Sequence, residues 1–121
     1  MPILNFEYTA NLKIDQKIPD FLLEAHHILV AEIGTDLRTC RSCIIKREQY
    51  IIGDGDAKNA FILLAIQILP GRTEAQKDRV GKLLVNKIKQ DFEAEISNHD
   101  VQVRVYVTET DKKHYYGLEK V

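Results

Sequence analysis

Residues 60–76 read AFILLAIQILPGRTEAQ, a segment that contains the signals of a strand, a turn and a helix start. Apolar side chains fill both alternating faces from Ala60 to Leu69, which predicts a strand that is covered on both sides. Pro70 and Gly71 then interrupt the pattern. Thr73 and Gln76 follow at the spacing of a capping box, which predicts that a helix begins there. The segment therefore predicts the first two elements of a βαβ unit.

The elements that follow complete this unit. Apolar residues at helical spacing extend the predicted helix to Phe92, and a turn is predicted at residues 98–100. The segment Val101 to Val107 then alternates valine with polar or aromatic residues, which is typical of a half-buried strand.

A second βαβ unit is predicted upstream. The segment Ile3 to Thr9 alternates as a strand. A helix is predicted from Pro19 to Gly34, because proline suits a first helical turn and glycine suits a helix end. Arg38 to Ile52 is rich in residues that favour strands, and the glycines and aspartates of residues 53–56 predict a turn after it.

Two βαβ units in a chain of 121 residues predict a single α/β (α+β) domain over residues 1–121. Its four strands are expected to form one mixed sheet, with both helices on one face. The other face is then bare, although the strand Ala60 to Leu69 is apolar on that side too. We expect this face to be buried in a homo-oligomer.

The composition excludes several classes of protein. Hydrophobic residues make up 45% of the chain and charged residues 29%, as in ordinary globular proteins. The net charge is -1 and no cluster of lysine or arginine occurs, so neither nucleic acid nor a membrane is expected as a partner. With two cysteines and no secretory signal pattern after Met1, we expect a cytoplasmic protein.

Pro2 is the first candidate for catalysis, because removal of Met1 leaves proline with a free secondary amine. A model α-amino group titrates at about 7.7–8.0, and burial and nearby cations lower such a pKa. The amine is then a general base that works near neutral pH. Many proteins also begin with methionine and proline without any catalytic role.

Two arginines are candidates for binding a carboxylate. Arg72 lies just before the predicted capping box, where a helix N-terminus offers backbone N–H groups to an anion. A solvated surface arginine fits the same position. Arg41 lies within a predicted strand, where a guanidinium needs a carboxylate partner or an edge position. A carboxylate partner would belong either to a bound ligand or to another residue of the protein in an ordinary salt bridge.

Cys40 and Cys43 have the CxxC spacing of some redox and zinc sites. In an extended strand, side chains three residues apart point to opposite faces, so the two sulfurs are expected to diverge. The histidines of the chain show no matching ligand spacing. We therefore predict no metal site; these histidines are His26, His27, His99 and His114.

Taken together, the sequence resembles the tautomerase superfamily, and within it the 5-carboxymethyl-2-hydroxymuconate isomerases. The likeness extends without gaps from Pro2 to about Phe92, and the segment from Asp111 to Val121 fits the pattern poorly. The residues that carry it are Pro2, Glu7, Asn11-Leu12, Arg41-Ser42, Gly71-Arg72-Thr73, Glu74, Ile88-Lys89 and Phe92.

The resemblance implies a trimer of βαβ units with active sites near the subunit boundaries. It implies that Pro2 is the general base, and that Arg41 and Arg72 bind substrate carboxylates and help stabilise a dienolate. No metal or organic cofactor is implied. The implied substrate is a small unsaturated dicarboxylate or tricarboxylate of the 2-hydroxymuconate type, from the degradation of aromatic compounds.

One departure from the family pattern concerns the substrate. Cys43 occupies a position where these isomerases carry a second arginine, two residues after the first. Two alternatives therefore stay open beside the hydroxymuconate isomerase. One is a tautomerase acting on another 2-keto acid enol or unsaturated acid, and the other is a catalytically silent oligomeric binding module.

Overall fold

A computed structural model describes residues 1–118 of the chain. The strands are β1 (Ile3–Thr9), β2 (Arg41–Arg47), β3 (Asn59–Ile68) and β4 (Asp100–Glu109), and the helices are α1 (Ile18–Ile33), α2 (Glu74–Asp91) and the short α3 (Glu93–Ser97). Three single turns of 3-10 helix cover Asp15–Lys17, Leu37–Thr39 and Lys112–His114.

The four strands form one mixed sheet in the order β2-β1-β3-β4. The β1–β2 and β3–β4 pairs are parallel, and β1 and β3 join them as an antiparallel pair. Each parallel pair is connected through a helix, α1 in the first and α2 in the second. The predicted arrangement of two βαβ units in a mixed sheet is therefore confirmed.

Both helices cover the same face of the sheet. Alternate residues of β1 and β3 are buried against apolar residues of α1 and α2, and the four valines of β4 pack against the same core. Phe6 of β1 lies at its centre, with ring centroids 5.5 Å from Phe21 of α1 and 5.7 Å from Phe92. These edge-on and tilted contacts join the sheet to the ends of both helices.

The predicted helix boundaries agree with the structure. Gly34 ends α1 with a φ of 66°, in the left-handed region that glycine adopts without a steric penalty. Thr73 caps α2 and accepts the amide N–H of Gln76, whose side chain accepts the amide N–H of Thr73 in return.

The second strand is shorter than predicted. Residues 37–39 form a 3-10 turn, so Arg38 precedes the strand, and β2 ends at Arg47 instead of continuing to Ile52. The reason is that β1 leaves the sheet after Thr9, which is the partner of Arg47. Beyond that pair, β2 has no neighbouring strand, and residues 48–58 form a loop in which Ile51 is 88% exposed.

The sheet face away from the helices is bare in this chain. On β3 it presents the half-buried side chains of Phe61, Leu63 and Ala65. Arg104 and Tyr106 of β4 lie beside them and are exposed. An apolar strip with a polar border is typical of a surface that is buried by another subunit.

His26 links α1 to β2. Its Nε2 atom lies 2.7 Å from the Ser42 hydroxyl, and the ring is half-buried between the two elements. Burial lowers the pKa of His26 below its ordinary value, and the neighbouring His27 lowers it further. The folded chain therefore favours the neutral imidazole.

We predict that His26 makes the protein less stable at acidic pH. An unfolded histidine titrates near 6.5, so below about pH 6.5 the unfolded chain binds a proton that the folded chain resists. The free energy of unfolding then falls as the pH is lowered through that range. Denaturant unfolding at pH 5.5, 6.5 and 7.5 should show this fall in the wild type and a smaller fall in His26→Gln. The exposed His114, changed to glutamine, is the control, and an equal fall in both variants would contradict the assignment.

Candidate active site

One end of the sheet collects the residues that the sequence singled out. Because β1 and β2 run parallel and β3 and β4 run the opposite way, the starts of β1 and β2 lie beside the ends of β3 and β4. Pro2 precedes β1, Arg41 begins β2 and Arg72 lies four residues after β3. The chain segment after β4 leaves the sheet at this same end.

Pro2 is buried at the start of β1. Its carbonyl oxygen accepts the amide N–H of Arg41 at 3.0 Å, which extends the β1–β2 ladder by one residue. The proline is therefore fixed beside the first residue of β2. While Met1 is attached, the Pro2 nitrogen is part of a tertiary amide and has no basic lone pair.

The Arg41 side chain is exposed on the edge strand of the sheet. Its guanidinium makes no hydrogen bond or ion pair with any other residue of the described range 1–118. Within that range, therefore, no salt bridge accounts for Arg41, which lies at the edge of the sheet and lines a pocket.

A pocket of about 110 Å³ lies at this end of the sheet. Its lining comes from three parts of the chain: Met1, the 3-10 turn with the start of β2, and the segment after β4. The lining residues are Met1, Arg38, Thr39, Arg41 and Tyr115.

Tyr115 reaches this pocket because the C-terminal segment crosses the end of the sheet. The backbone N–H of Thr110 donates to the carbonyl of Ile68 at 2.9 Å, so the segment leaves β4 close to the end of β3. A turn capped by the Asp111 side chain follows, and Tyr115 then lies beside Arg41 of β2, the strand at the opposite edge. The segment therefore passes the start of β1, where the N-terminus lies.

Asp36 and Arg38 set the charge beside the pocket. The Arg38 Nη2 and Nε groups donate to the Asp36 carboxylate at 2.8 and 3.2 Å, and the Arg38 amide donates to it at 3.0 Å. These bonds hold the pKa of Asp36 below its ordinary value, and the charge of the N-terminal amine adds to the effect. That charge also opposes the burial that raises the pKa of Cys40. The N-terminal amine thus lies within electrostatic reach of both groups.

Arg72 has a contact that the sequence did not predict. Its Nε group donates to the carbonyl of Ile33 at 3.2 Å, and its Nη1 group donates to the carbonyl of Leu69 at 3.5 Å. The first of these carbonyls lies at the C-terminal end of α1, where backbone oxygens lack helical partners. Arg72 therefore joins the β3–α2 loop to α1, and it is not among the residues that line the pocket.

The two cysteines are free thiols. Cys40 is half-buried at the end of the 3-10 turn, whereas Cys43 is exposed on β2, two residues beyond Arg41. Within residues 1–118 no group of three or more histidine, cysteine, aspartate or glutamate side chains is placed to bind a metal ion. No helix of that range is long and apolar enough to cross a membrane.

Sequence reasoning did not identify Arg38 and Tyr115 as candidates. Tyr115 reaches the pocket only through the path of the C-terminal segment, which no local pattern predicts. Arg38 had one local signal, namely Asp36 two residues before it, since an aspartate at this spacing often accepts a backbone N–H in a turn.

The family model of 5-carboxymethyl-2-hydroxymuconate isomerase matches residues 2–120 of the chain. The matched range extends past Phe92 and includes nearly the whole C-terminal segment. No curated protein matches the chain in sequence.

Solved structures show the same fold. A 5-carboxymethyl-2-hydroxymuconate isomerase from Deinococcus radiodurans R1 is 25% identical, with a TM-score of 0.89 over 98% of this chain and 90% of that one. A 5-carboxymethyl-2-hydroxymuconate delta-isomerase is 17% identical, with a TM-score of 0.80 over 98% and 89%. A fused 4-OT symmetric trimer is 20% identical, with a TM-score of 0.71 over 92% and 87%.

We predict that Arg72→Ala destabilises the fold, because the Arg72 side chain joins the β3–α2 loop to α1. Loss of the charged hydrogen bonds to Ile33 and Leu69 should cost about 1–2 kcal/mol. The melting temperature should fall by roughly 3–8 °C in a domain of this size. Arg41→Ala is the matched control and should leave it nearly unchanged. Equal melting temperatures for the two variants would show that the Arg72 contacts do not stabilise α1.

Proposed function

The chain belongs to the 5-carboxymethyl-2-hydroxymuconate isomerase family and is an isomerase, and we propose that it transfers a proton within a 2-hydroxymuconate-like unsaturated dicarboxylate or tricarboxylate. Pro2 is the general base once Met1 has been removed. The observation that carries this proposal is the pocket at the end of the sheet. It brings the N-terminus of the chain together with an arginine that has no partner in residues 1–118.

The proposed reaction needs one group that takes and returns a proton. The neutral amine of Pro2 accepts the proton of the substrate 2-hydroxyl group, which leaves a dienolate. The resulting secondary ammonium then donates a proton to a carbon of the conjugated chain, which gives the ketone and restores the neutral amine. Atoms and charge balance without an oxidant or a reductant, so the reaction itself requires no cofactor.

Arg41 is proposed to stabilise the negative charge of the substrate. A guanidinium beside a forming dienolate, or bound to the adjacent carboxylate, is a fixed cation that needs no rearrangement during the reaction. Loss of such a contact costs about 2–4 kcal/mol in the transition state. The backbone of Arg41 is held beside Pro2 by the bond from its amide to the Pro2 carbonyl.

Arg72 has a second proposed role beside its contact with α1. A guanidinium carries five N–H donors, and the two carbonyls of Ile33 and Leu69 accept from only two of its nitrogens. The remaining donors at this end of the sheet are available to a substrate carboxylate. We expect its loss to affect KM as well as stability.

The surroundings of Pro2 support a basic amine near neutral pH. Burial disfavours the protonated form, and the nearby Arg41 disfavours it further. Asp36 favours the protonated form, but the charge of its ion-pair partner Arg38 opposes that effect. The net effect should lower the pKa of the amine, which keeps a useful fraction unprotonated at pH 7.

A second candidate function is a tautomerase that acts on a simpler 2-keto acid enol. The observation that favours it is Cys43, which leaves β2 with one arginine near its start where the family resemblance implies two. A cytoplasmic location stays a prediction; the free thiols at Cys40 and Cys43 agree with a reducing compartment.

Assembly is proposed to be a homotrimer that buries the bare face of the sheet. The half-buried apolar strip of β3 on that face supports this proposal, and the fold is shared with a protein that is a symmetric trimer. Glu7 of β1 lies directly beside Leu63 on that face, and its charge is paired with Arg47 of β2 at 2.7 Å.

Removal of Met1 should switch the activity on. We predict that protein retaining Met1 is inactive, since its Pro2 nitrogen is an amide, and that the processed protein ketonises 2-hydroxymuconate. Mass spectrometry of each sample, paired with an absorbance assay, measures both quantities. Pro2→Ala in the processed form is the control, since it keeps an amine but loses the ring, and it should lose most of the activity. Full activity in a wholly unprocessed sample would exclude Pro2 as the base.

A charged substitution in the apolar strip of β3, which consists of Phe61, Leu63 and Ala65, tests the proposed trimer. Leu63→Asp places a charge at the centre of the proposed interface and should convert the trimer into monomers in sedimentation experiments at micromolar concentration. Leu23→Asp is the matched control, because Leu23 is 60% exposed on the outer side of α1. A wild type that sediments as a monomer, or a Leu63→Asp variant that remains trimeric, would contradict the proposal.

A further inference from the structure

The pocket at the end of the sheet contains a second arginine, Arg38, whose role is not explained by the fold. Its side chain is 85% exposed, and its only ion pair within residues 1–118 is with Asp36, a residue two positions away. An exposed pair this local contributes little to stability. Arg38 nevertheless lines the same pocket as Arg41 and Met1.

The contacts with Asp36 orient the Arg38 side chain. The carboxylate accepts from Nε and Nη2, and the same carboxylate caps the 3-10 turn by accepting the Arg38 amide. The edge of the guanidinium formed by Nε and Nη2 is therefore held by the turn that precedes β2. The Nη1 group has no hydrogen-bond partner within residues 1–118, so its donors remain available to a ligand.

Charge in the pocket favours an acid with more than one carboxylate. Arg38 and Arg41 supply two positive charges, and Asp36 offsets one of them. The offset does not remove the N–H donors of Arg38 that point away from Asp36. Two guanidinium groups on one small pocket can therefore bind two separate carboxylates of one ligand.

The position of Cys43 also favours Arg38 as the second cation beside Arg41. Side chains two residues apart lie on the same side of a strand, about 6.6 Å further along it. Cys43 thus lies on the side of Arg41 that is remote from the N-terminus, and it carries no cation. Arg38 lies on the near side, in the turn before the strand, and belongs to the pocket.

We propose that Arg38 is a substrate-binding residue that holds the second carboxylate of a dicarboxylate substrate while Arg41 holds the first. Tyr115 forms the wall of the pocket that the C-terminal segment provides. This inference rests on the proposed function for the choice of substrate class. It adds a specificity-determining residue to that site and favours a diacid over a simple 2-keto acid.

Binding of two unreactive acids tests the inference without any need for turnover. Adipate and hexanoate have six carbons each and differ in the second carboxylate. NMR titrations of the processed protein should show that the wild type binds adipate about 10- to 100-fold more tightly than hexanoate. In Arg38→Gln, this preference should fall to about twofold or less, with hexanoate binding nearly unchanged.

Arg79→Gln is the matched control. Arg79 is an exposed arginine that pairs with one carboxylate, Glu32, at 2.7 Å and lies outside the pocket. It should keep the full preference for adipate. An equal loss of adipate binding in both variants would indicate a general charge effect and overturn the inference, as would a wild type that does not prefer adipate.

The Arg38 inference and the proposed function can fail independently, and the experiments distinguish the two cases. Pro2→Ala should lose most of the turnover and leave the adipate preference intact. If the wild type turns over a hydroxymuconate and Arg38→Gln keeps both the preference and KM, the inference fails and the function stands. If the preference depends on Arg38 while the processed wild type turns over neither 2-hydroxymuconate nor phenylenolpyruvate, the function fails and the binding site stands.

Discussion

The hydrogen bond between the Arg41 amide and the Pro2 carbonyl is the contact on which the site depends. It continues the parallel pairing of β1 and β2 to the first residues of both strands, so the N-terminus cannot move independently of Arg41. Antiparallel pairing of β1 with β3 then brings the end of β3 and the C-terminal segment to the same place. The backbone pairing thus places the proposed base, Pro2, beside the proposed cation, Arg41, at the start of adjacent strands.

The charges around this contact have opposite effects on the protonation of a nearby amine, because cations disfavour the ammonium form and anions favour it. Arg41 has no anionic partner within residues 1–118, while Arg38 is held by Asp36. The charge of Arg38 opposes the tendency of Asp36 to stabilise a protonated amine nearby, and the pairing holds a second guanidinium at the pocket. The short turn at residues 36–39 therefore affects both the charge near the N-terminus and the proposed binding of substrate by Arg38. Arg72, by contrast, is directed mainly toward the end of α1.

Much of the fold was predictable because its signals are local. The capping box at Thr73, the glycine at the end of α1 and the valine alternation of β4 each depend on a few neighbouring residues. The end of β2 was not predictable, since it depends on where β1 leaves the sheet. Likewise, Ile33, one partner of Arg72, is 39 positions away, and Tyr115 reaches the pocket because its segment crosses the end of the sheet from β4 to β2. Such non-local contacts leave no pattern in the sequence.

The central claim is that a buried, cation-flanked proline amine is the base, and its pKa measures this directly. In protein lacking Met1 and carrying ¹⁵N-labelled proline, an NMR titration can follow the nitrogen of Pro2. The account predicts a pKa below the value of about 7.7–8.0 for a model α-amino group, and a higher value in Arg41→Gln. A Pro2 amine that titrates at or above the model value, and does not respond to loss of Arg41, would contradict it.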